Sequence, residues 1–206
     1  MPAKKTMHCR APGRPRDPDL ESRILQVTLR LMASQGYERM TLDEVAIEAA
    51  VSKPTIYRRW NSKADLATAA VRTLQISEPA IEATTAVQEL TGILQNFRRS
   101  LLRPYGMALV GTVLAEEAHN PELLKLFRER LVAPRRKSIL AVLEHANKRG
   151  ELLPSANLDV AVTALAGGLY GYYLAHSRIN PEFVAELVKI VWNGIAIRKW
   201  KTAPPS

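Results

Sequence analysis

Between Ser52 and Lys63 the chain collects groups suited to holding a nucleic acid. Lys53, Arg58, Arg59 and Lys63 bring fixed positive charge, Ser52 and Thr55 bring hydroxyls, and Tyr57 brings a flat ring with a polar end. Arg58 is the candidate for reading sequence, because a guanidinium pairs with O6 and N7 of guanine at once. Ammonium and hydroxyl groups hold phosphates and set register instead. Catalysis needs a different collection. Glu116, Glu117 and His119 form the only His–carboxylate cluster, with Glu116 and His119 three apart on one predicted helix. That is half of a di-iron carboxylate arrangement, and no second Glu-x-x-His completes it. Glu144 and His145 are adjacent and point apart. No nucleophile elbow, phosphate loop or paired metal signature occurs. The reading is a non-enzyme with no catalytic residue, metal or cofactor.

Two short helices joined by a tight turn must position the basic groups. Thr41 caps the first, its side-chain oxygen accepting from the free amides near Asp43 and Glu44. Those two acids also suit a helix N-terminus, where the dipole end is positive. Leu42, Val45, Ala46 and Ala49 recur at three- and four-residue spacing and make one apolar face. Val51 closes this helix, and Ser52 is the next N-cap. Pro54 falls in the first turn that follows, where its missing N–H costs nothing. In the second helix, KPTIYRRW, Ile56 and Trp60 stand four apart and anchor it inward. Lys53, Thr55, Tyr57, Arg58 and Arg59 are left facing out, which is the layout of a helix-turn-helix. The bland alternative for Tyr57 is packing against the first helix.

The run Gly36-Tyr37, Thr41-Leu42-x-x-Val45-Ala46, Ala49-Ala50-Val51-Ser52, Thr55-x-Tyr57 and Trp60-x-x-Lys63-x-x-Leu66 resembles the TetR family of bacterial transcriptional regulators. The resemblance spans roughly residues 18–72. Two positions depart from the family pattern: Ala50 stands where the turn usually has glycine, and Trp60 where phenylalanine is commoner. Ala50 is strained if its φ is positive, but neither change removes a DNA-contacting group. The resemblance implies that Lys53, Pro54 and Tyr57 approach bases or sugars, and that Thr55, Arg59 and Lys63 hold phosphates. Thr41 and Ser52, the two cap residues, join the same DNA-facing set. It also implies a homodimer on double-stranded operator DNA, acting as a repressor that a small, mostly apolar effector releases. The competing reading is a ligand-sensing or protein-interaction helical module that has lost DNA binding, and Ala50 is its sequence support.

Length and composition frame this unit. At 206 residues, with 47% hydrophobic residues, the chain suits one or two compact domains with a real core. Abundant alanine and leucine without strand alternation point to an all-α fold. Cys9 is the single cysteine, so no disulfide framework or cysteine metal site exists, and a cytoplasmic setting follows. No apolar run reaches membrane-spanning length, and the N-terminus lacks a signal-peptide core. The net charge is +9, and it is concentrated where the motif lies: residues 1–72 hold 13 Lys/Arg against 8 Asp/Glu.

Residues 1–17 read as a flexible basic arm, residues 18–76 as the DNA-binding domain with its helix-turn-helix at about 41–60, residues 77–200 as a helical effector-binding and dimerisation domain, and 201–206 as a disordered tail. Arg14 and Arg16 in the arm suit a narrow minor groove, and equally a solvated tail. The first helix runs from Asp17 or Asp19 to about Gln35, and Asn61 or Ser62 caps a fourth. Beyond the seam at Ser77-Glu78-Pro79, five helices are expected: about 83–102, 105–118, 121–149 with Pro134 as a kink or break, 158–176 and 181–200.

The last two helices carry matched stripes. Ala161, Ala164, Gly168, Gly171 and Ala175 permit close helix approach, while Phe183, Leu187, Ile190, Gly194 and Ile197 make an apolar line. Val184, Val188, Val191 and Ile195 widen that line beyond what one neighbour buries. Ordinary core is one reading; the resemblance implies a four-helix dimer interface. Met107, Val110, Leu114, Phe127, Leu169, Tyr170, Tyr172 and Tyr173 are candidates to line an effector cavity, with Gly167 and Gly168 leaving room, although plain core has the same composition. The Arg135-Arg136-Lys137 run reads as a solvated face, with contact to an acidic effector as the alternative.

Overall fold

The computed structural model describes residues 19–74 and 83–197. They form ten α-helices: α1 Leu20–Arg39, α2 Leu42–Glu48, α3 Lys53–Tyr57, α4 Lys63–Arg72, α5 Ala86–Leu102, α6 Gly106–Ala115, α7 Pro121–Phe127, α8 Ala133–Lys148, α9 Leu158–His176 and α10 Pro181–Ile195. Among the described residues the only β pairing is one bridge, Leu152 with Ala196. The all-α expectation is met. The arm with Arg14 and Arg16, the seam at Ser77-Glu78-Pro79 and the tail lie outside the described residues.

α1 turns its apolar stripe, Ile24, Leu31 and Met32, into a core shared with α4 and α6. Its regular part ends at Gly36, whose φ of 83° takes the chain into the left-handed region that glycine enters freely. Tyr37 then folds under the motif, and its phenol is pushed up to about 12 by burial, with Glu122 and Glu116 adding to the effect. α4 packs on α7 as well as on α1, so the N-terminal four-helix unit rests directly on the remainder.

In that remainder, α5 starts on a capping box made by Thr85 and Gln88. The stretch expected as a single helix over 121–149 is α7, a π-helical turn at Arg128–Val132, and α8. Pro134 explains this division. It lies in the first turn of α8, and the π turn ahead of it lets the Ala133 amide reach back five residues to the Arg128 carbonyl. The wider turn carries helical backbone up to proline, which lacks a donor, without a break. α10 ends at Ile195, short of the expected 200, where the chain turns extended to bridge Leu152. Val184, Val188 and Trp192 of α10 are buried, and α10 packs on both α5 and α9. No described helix is long and apolar enough to cross a membrane.

Candidate nucleic-acid interface

The reading unit is held by short-range bonds that its sequence encodes. Thr41 Oγ1 accepts from the Glu44 amide at 3.2 Å, and Glu44 returns a carboxylate oxygen to the Thr41 amide at 2.9 Å. This is a complete capping box, and it draws the Glu44 carboxyl below its usual range. Thr41 is therefore committed to α2 before any DNA arrives. Val45, Ala46 and Ala49 are buried as the pattern requires. Ala50 then makes the turn with φ of 52°, so an L-residue occupies the left-handed region here. Arg23 of α1 donates from Nε to the Ala49 carbonyl at 2.9 Å and secures the end of α2.

α3 begins after an extended Ser52, whose side chain makes no cap hydrogen bond. The expected N-cap is a backbone one: the Ser52 carbonyl accepts from the Thr55 amide at 2.8 Å, while Ser52 Oγ pairs with Thr55 Oγ1 at 2.9 Å. The two hydroxyls satisfy one another on the exposed face. Ile56 and Trp60 are buried, and Ser52, Pro54, Tyr57, Arg58 and Arg59 are exposed. Half of the Tyr57 surface meets solvent.

Charge on this face is partly tethered. Lys53 Nζ lies 2.9 Å from Asp43 Oδ2, which ties the start of α3 to that of α2. Arg58 Nη2 donates to Thr55 Oγ1 at 3.0 Å, and Arg59 Nη1 reaches the Thr55 carbonyl at 3.4 Å. Lys63 is placed differently from the rest. Its ammonium donates to the Glu38 carbonyl at 3.0 Å and sits 4.4 Å from the centre of the Tyr37 ring, and burial lowers its pKa. Beside it, Ser62 Oγ caps α4 by accepting from the Asp65 amide at 3.0 Å. The cluster that sequence reasoning weighed for metal chemistry is also engaged, with Glu116 accepting from Asn120 and Glu117 lying 3.3 Å from Arg128.

An extended turn, a buried Ile56–Trp60 anchor and an exposed basic face make a helix-turn-helix. Residues 24–70 match the family described as bacterial regulatory proteins, tetR family, and residues 82–191 match the tetracyclin repressor-like C-terminal domain. An uncharacterised HTH-type transcriptional regulator of Mycobacterium bovis is 36% identical over 76% of this chain and 79% of its own length. The chain belongs to the TetR family. A DNA-binding transcriptional repressor of Mycobacteroides abscessus is 30% identical over 66% of the chain and 70% of its own length. A crystal structure of a TetR family transcription regulator superposes with a TM-score of 0.62, at 25% identity, over 85% of this chain and 98% of the other. This TetR-family protein is accordingly a DNA-binding transcriptional regulator.

Its C-terminal half contains a cavity of about 30 Å³ between the end of α4 and helices α5, α6, α7, α8 and α9. Three of the residues expected there line it: Val110, Phe127 and Tyr170. The others do not. Leu114 is 55% exposed on the outer side of α6, and Leu169 is fully buried in the core on the neighbouring face of α9. Met107 and Tyr173 are partly buried against that core, and Tyr172 stacks on Phe183 at 3.8 Å. Periodicity identifies apolar faces but does not say which face borders a void, and these five expected lining residues lie outside this one.

A larger correction concerns Arg135. Expected on a solvated face, it lines the cavity, its guanidinium 3.6 Å over the Phe97 ring and beside the Tyr170 hydroxyl. Burial, the larger cause, lowers its pKa against an opposing contribution from Tyr170, and burial likewise raises the Tyr170 phenol. Arg136 does face outward, bonded to Asp159 and Thr163 of α9. The start of α8 thus points one cation in and the next one out. Only the three-dimensional course of the preceding π turn shows which.

The small-residue stripe divides in the same way. Ala161 is core, and Gly168 accommodates Leu187 of α10, whose Cδ2 would lie 2.7 Å from an added Cβ. Ala164, Gly171, Ala175, Ile190 and Gly194 are exposed, while Phe183 is partly buried.

Proposed function

We propose that this chain is a homodimeric repressor whose two α3 helices enter successive major grooves of a roughly palindromic operator, and that a small molecule bound in the C-terminal half releases it. One observation carries the reading: α3 buries Ile56 and the Trp60 that follows it, and turns Lys53, Pro54, Thr55, Tyr57, Arg58 and Arg59 outward or half outward. Arg58 reads guanine, Lys53, Pro54 and Tyr57 approach bases or sugars, and Thr55, Arg59 and Lys63 hold phosphates. Thr41 and Ser52 border this surface, Lys63 joins it by turning from Glu38, and Arg14 and Arg16 supply basic reach from the arm.

Dimerisation uses the face of α9 and α10 that carries Ala164, Gly171, Ala175, Ile190 and Gly194, with Gly168, Phe183 and Leu187 behind it. Leu174 of α9 is 80% exposed and Ile190 of α10 68%, apolar surface that a partner helix would cover. Gly171 and Gly194 leave open space where a Cβ would stand, so another backbone can come close. The cavity couples to α3 through α4, because Val71 and Leu74 form part of its wall. Arg130, in the π turn that supplies the wall residue Leu131, pairs with Asp65 in the first turn of α4. A molecule that enlarges the cavity on this side moves the helix that follows the recognition helix. Action as a regulator places the protein in the cytoplasm, with DNA.

A gel shift with the DNA upstream of the protein's own gene tests the proposal. A retarded band at low salt, lost with increasing salt, is the expected result. No band while the dimer is intact favours the module that has lost DNA binding.

A further inference from the structure

Arg135 is the one charged residue among those lining the cavity, and it has no carboxylate partner among the described residues. Its neighbours supply little that answers a full positive charge. Phe97 offers a ring face at 3.6 Å, and Tyr170, held edge-on to Phe97 at 5.4 Å between centroids, offers a hydroxyl. A guanidinium has five N–H donors in a planar fork, and a ring face with one hydroxyl does not use that fork. Arg135 is partly buried, and withdrawing a cation from water without a matched anion is unfavourable. Arg136 next to it shows the ordinary solution, pairing with Asp159 at the surface. Apart from Ser100, whose hydroxyl donates to the Asn96 carbonyl at 3.0 Å, the rest of the lining is apolar, with Val71, Leu101, Val110, Phe127 and Leu131 among it.

We infer that the cavity is the recognition site for a small organic monocarboxylate, its anionic head on Arg135 and its aromatic or aliphatic body against Phe97, Phe127 and Val110. A fork-shaped donor meets a carboxylate with two parallel hydrogen bonds. With no second cation in the lining, a monoanion is matched and a phosphate dianion is left with surplus charge. The cavity measures about 30 Å³, room for about two water molecules. It therefore holds the head alone as it stands. The body gains its space by displacing Val71 and Leu74 from the α4 side. This deepens the effector site proposed above and rests on that reading for its effect on DNA.

The test uses the full-length protein and a defined panel: benzoate, phenylacetate, 4-phenylbutyrate, hexanoate, octanoate and decanoate, each beside its primary amide. Binding is measured by calorimetry and by the shift in melting temperature. At least one acid binds saturably, and its uncharged amide binds at least tenfold more weakly. Arg135→Gln abolishes that preference, and Arg136→Gln, on the exposed side, leaves it unchanged. Equal binding of acid and amide overturns the inference, as does an Arg135→Gln variant that melts cooperatively and binds the acid like wild type. Absence of binding by every acid up to millimolar concentration overturns it too. The acid and amide comparison on wild type stands even if Arg135→Gln fails to fold. A gel shift run alongside separates the two readings. Acids that bind through Arg135 without releasing DNA leave the site standing and remove the effector role. DNA binding without any acid binding does the opposite.

Discussion

Arg58 and Lys63 belong to one reading unit, yet their surroundings predict different losses. Arg58 is exposed and tethered only by Thr55 Oγ1, a bond that a guanine edge replaces at little cost. Arg58→Ala therefore costs about 1–3 kcal/mol per half-site and flattens preference at particular bases. Equal loss on every sequence in salt-dependent titrations would remove Arg58 from base readout. Lys63 gives a uniform loss instead: Lys63→Ala weakens all sequences alike and lowers the salt slope by about one per subunit. Ala50 concerns stability alone. Its φ of 52° stores strain that glycine would release. The left-handed conformation costs roughly 1–2 kcal/mol and glycine's extra chain entropy about 0.5–1, so Ala50→Gly is neutral to about 1.5 kcal/mol stabilising. Urea denaturation decides this, and a marked destabilisation would show that the strain is relieved elsewhere.

At the scale of elements, α4 is the part through which the two halves meet. Its first turn carries Asp65, which is mostly buried, pairs with Arg130 and accepts from the Asn61 amide at 2.8 Å. Burial pushes this carboxyl up, but Arg130 and the Asn61 amide outweigh it and hold the group below its ordinary 3.8. Asp65→Asn should therefore destabilise the protein by about 1–3 kcal/mol at neutral pH, as for a charged hydrogen bond. The sign with pH follows from linkage. A depressed folded-state pKa stabilises fully above the unfolded value and is lost as pH falls through the folded one. The gap between wild type and Asp65→Asn should close in acid, as followed by thermal melts from pH 7 to pH 3. A gap that widens there would mean that Arg130 is not the partner that matters.

For the molecule as a whole, operator affinity depends on joining two weak readers. A five-residue α3 makes few contacts by itself, and linkage of two such units raises the effective concentration of the second. Ile190→Glu places a charge on the exposed face of α10, twice in a symmetric pair. It should give monomers in sedimentation at micromolar concentration, with operator affinity lowered about 10²–10⁴-fold. A variant that remains dimeric would move the interface away from α9 and α10.

The helix-turn-helix was legible in the sequence because every part of it is local. The Thr41–Glu44 cap, the Ile56–Trp60 anchor and the exposed cations span few residues, and short-range hydrogen bonds with four-residue periodicity decide them. The all-α class and the helix breaks at Gly36, Pro121 and Pro181 follow from the same local chemistry. The cavity was legible only in part. Val110, Phe127 and Tyr170 border it while Leu114 and Leu169 do not, because helices with more than one apolar face leave open which face meets a gap. Arg135 marks the limit most sharply. By itself, the sequence determined a family, a fold class and a basic reading face, all consequences of periodicity and capping. Only the tertiary structure decided that one arginine of a charged run turns inward, because the π turn before Pro134 sets the rotation of α8 against α5 and α9.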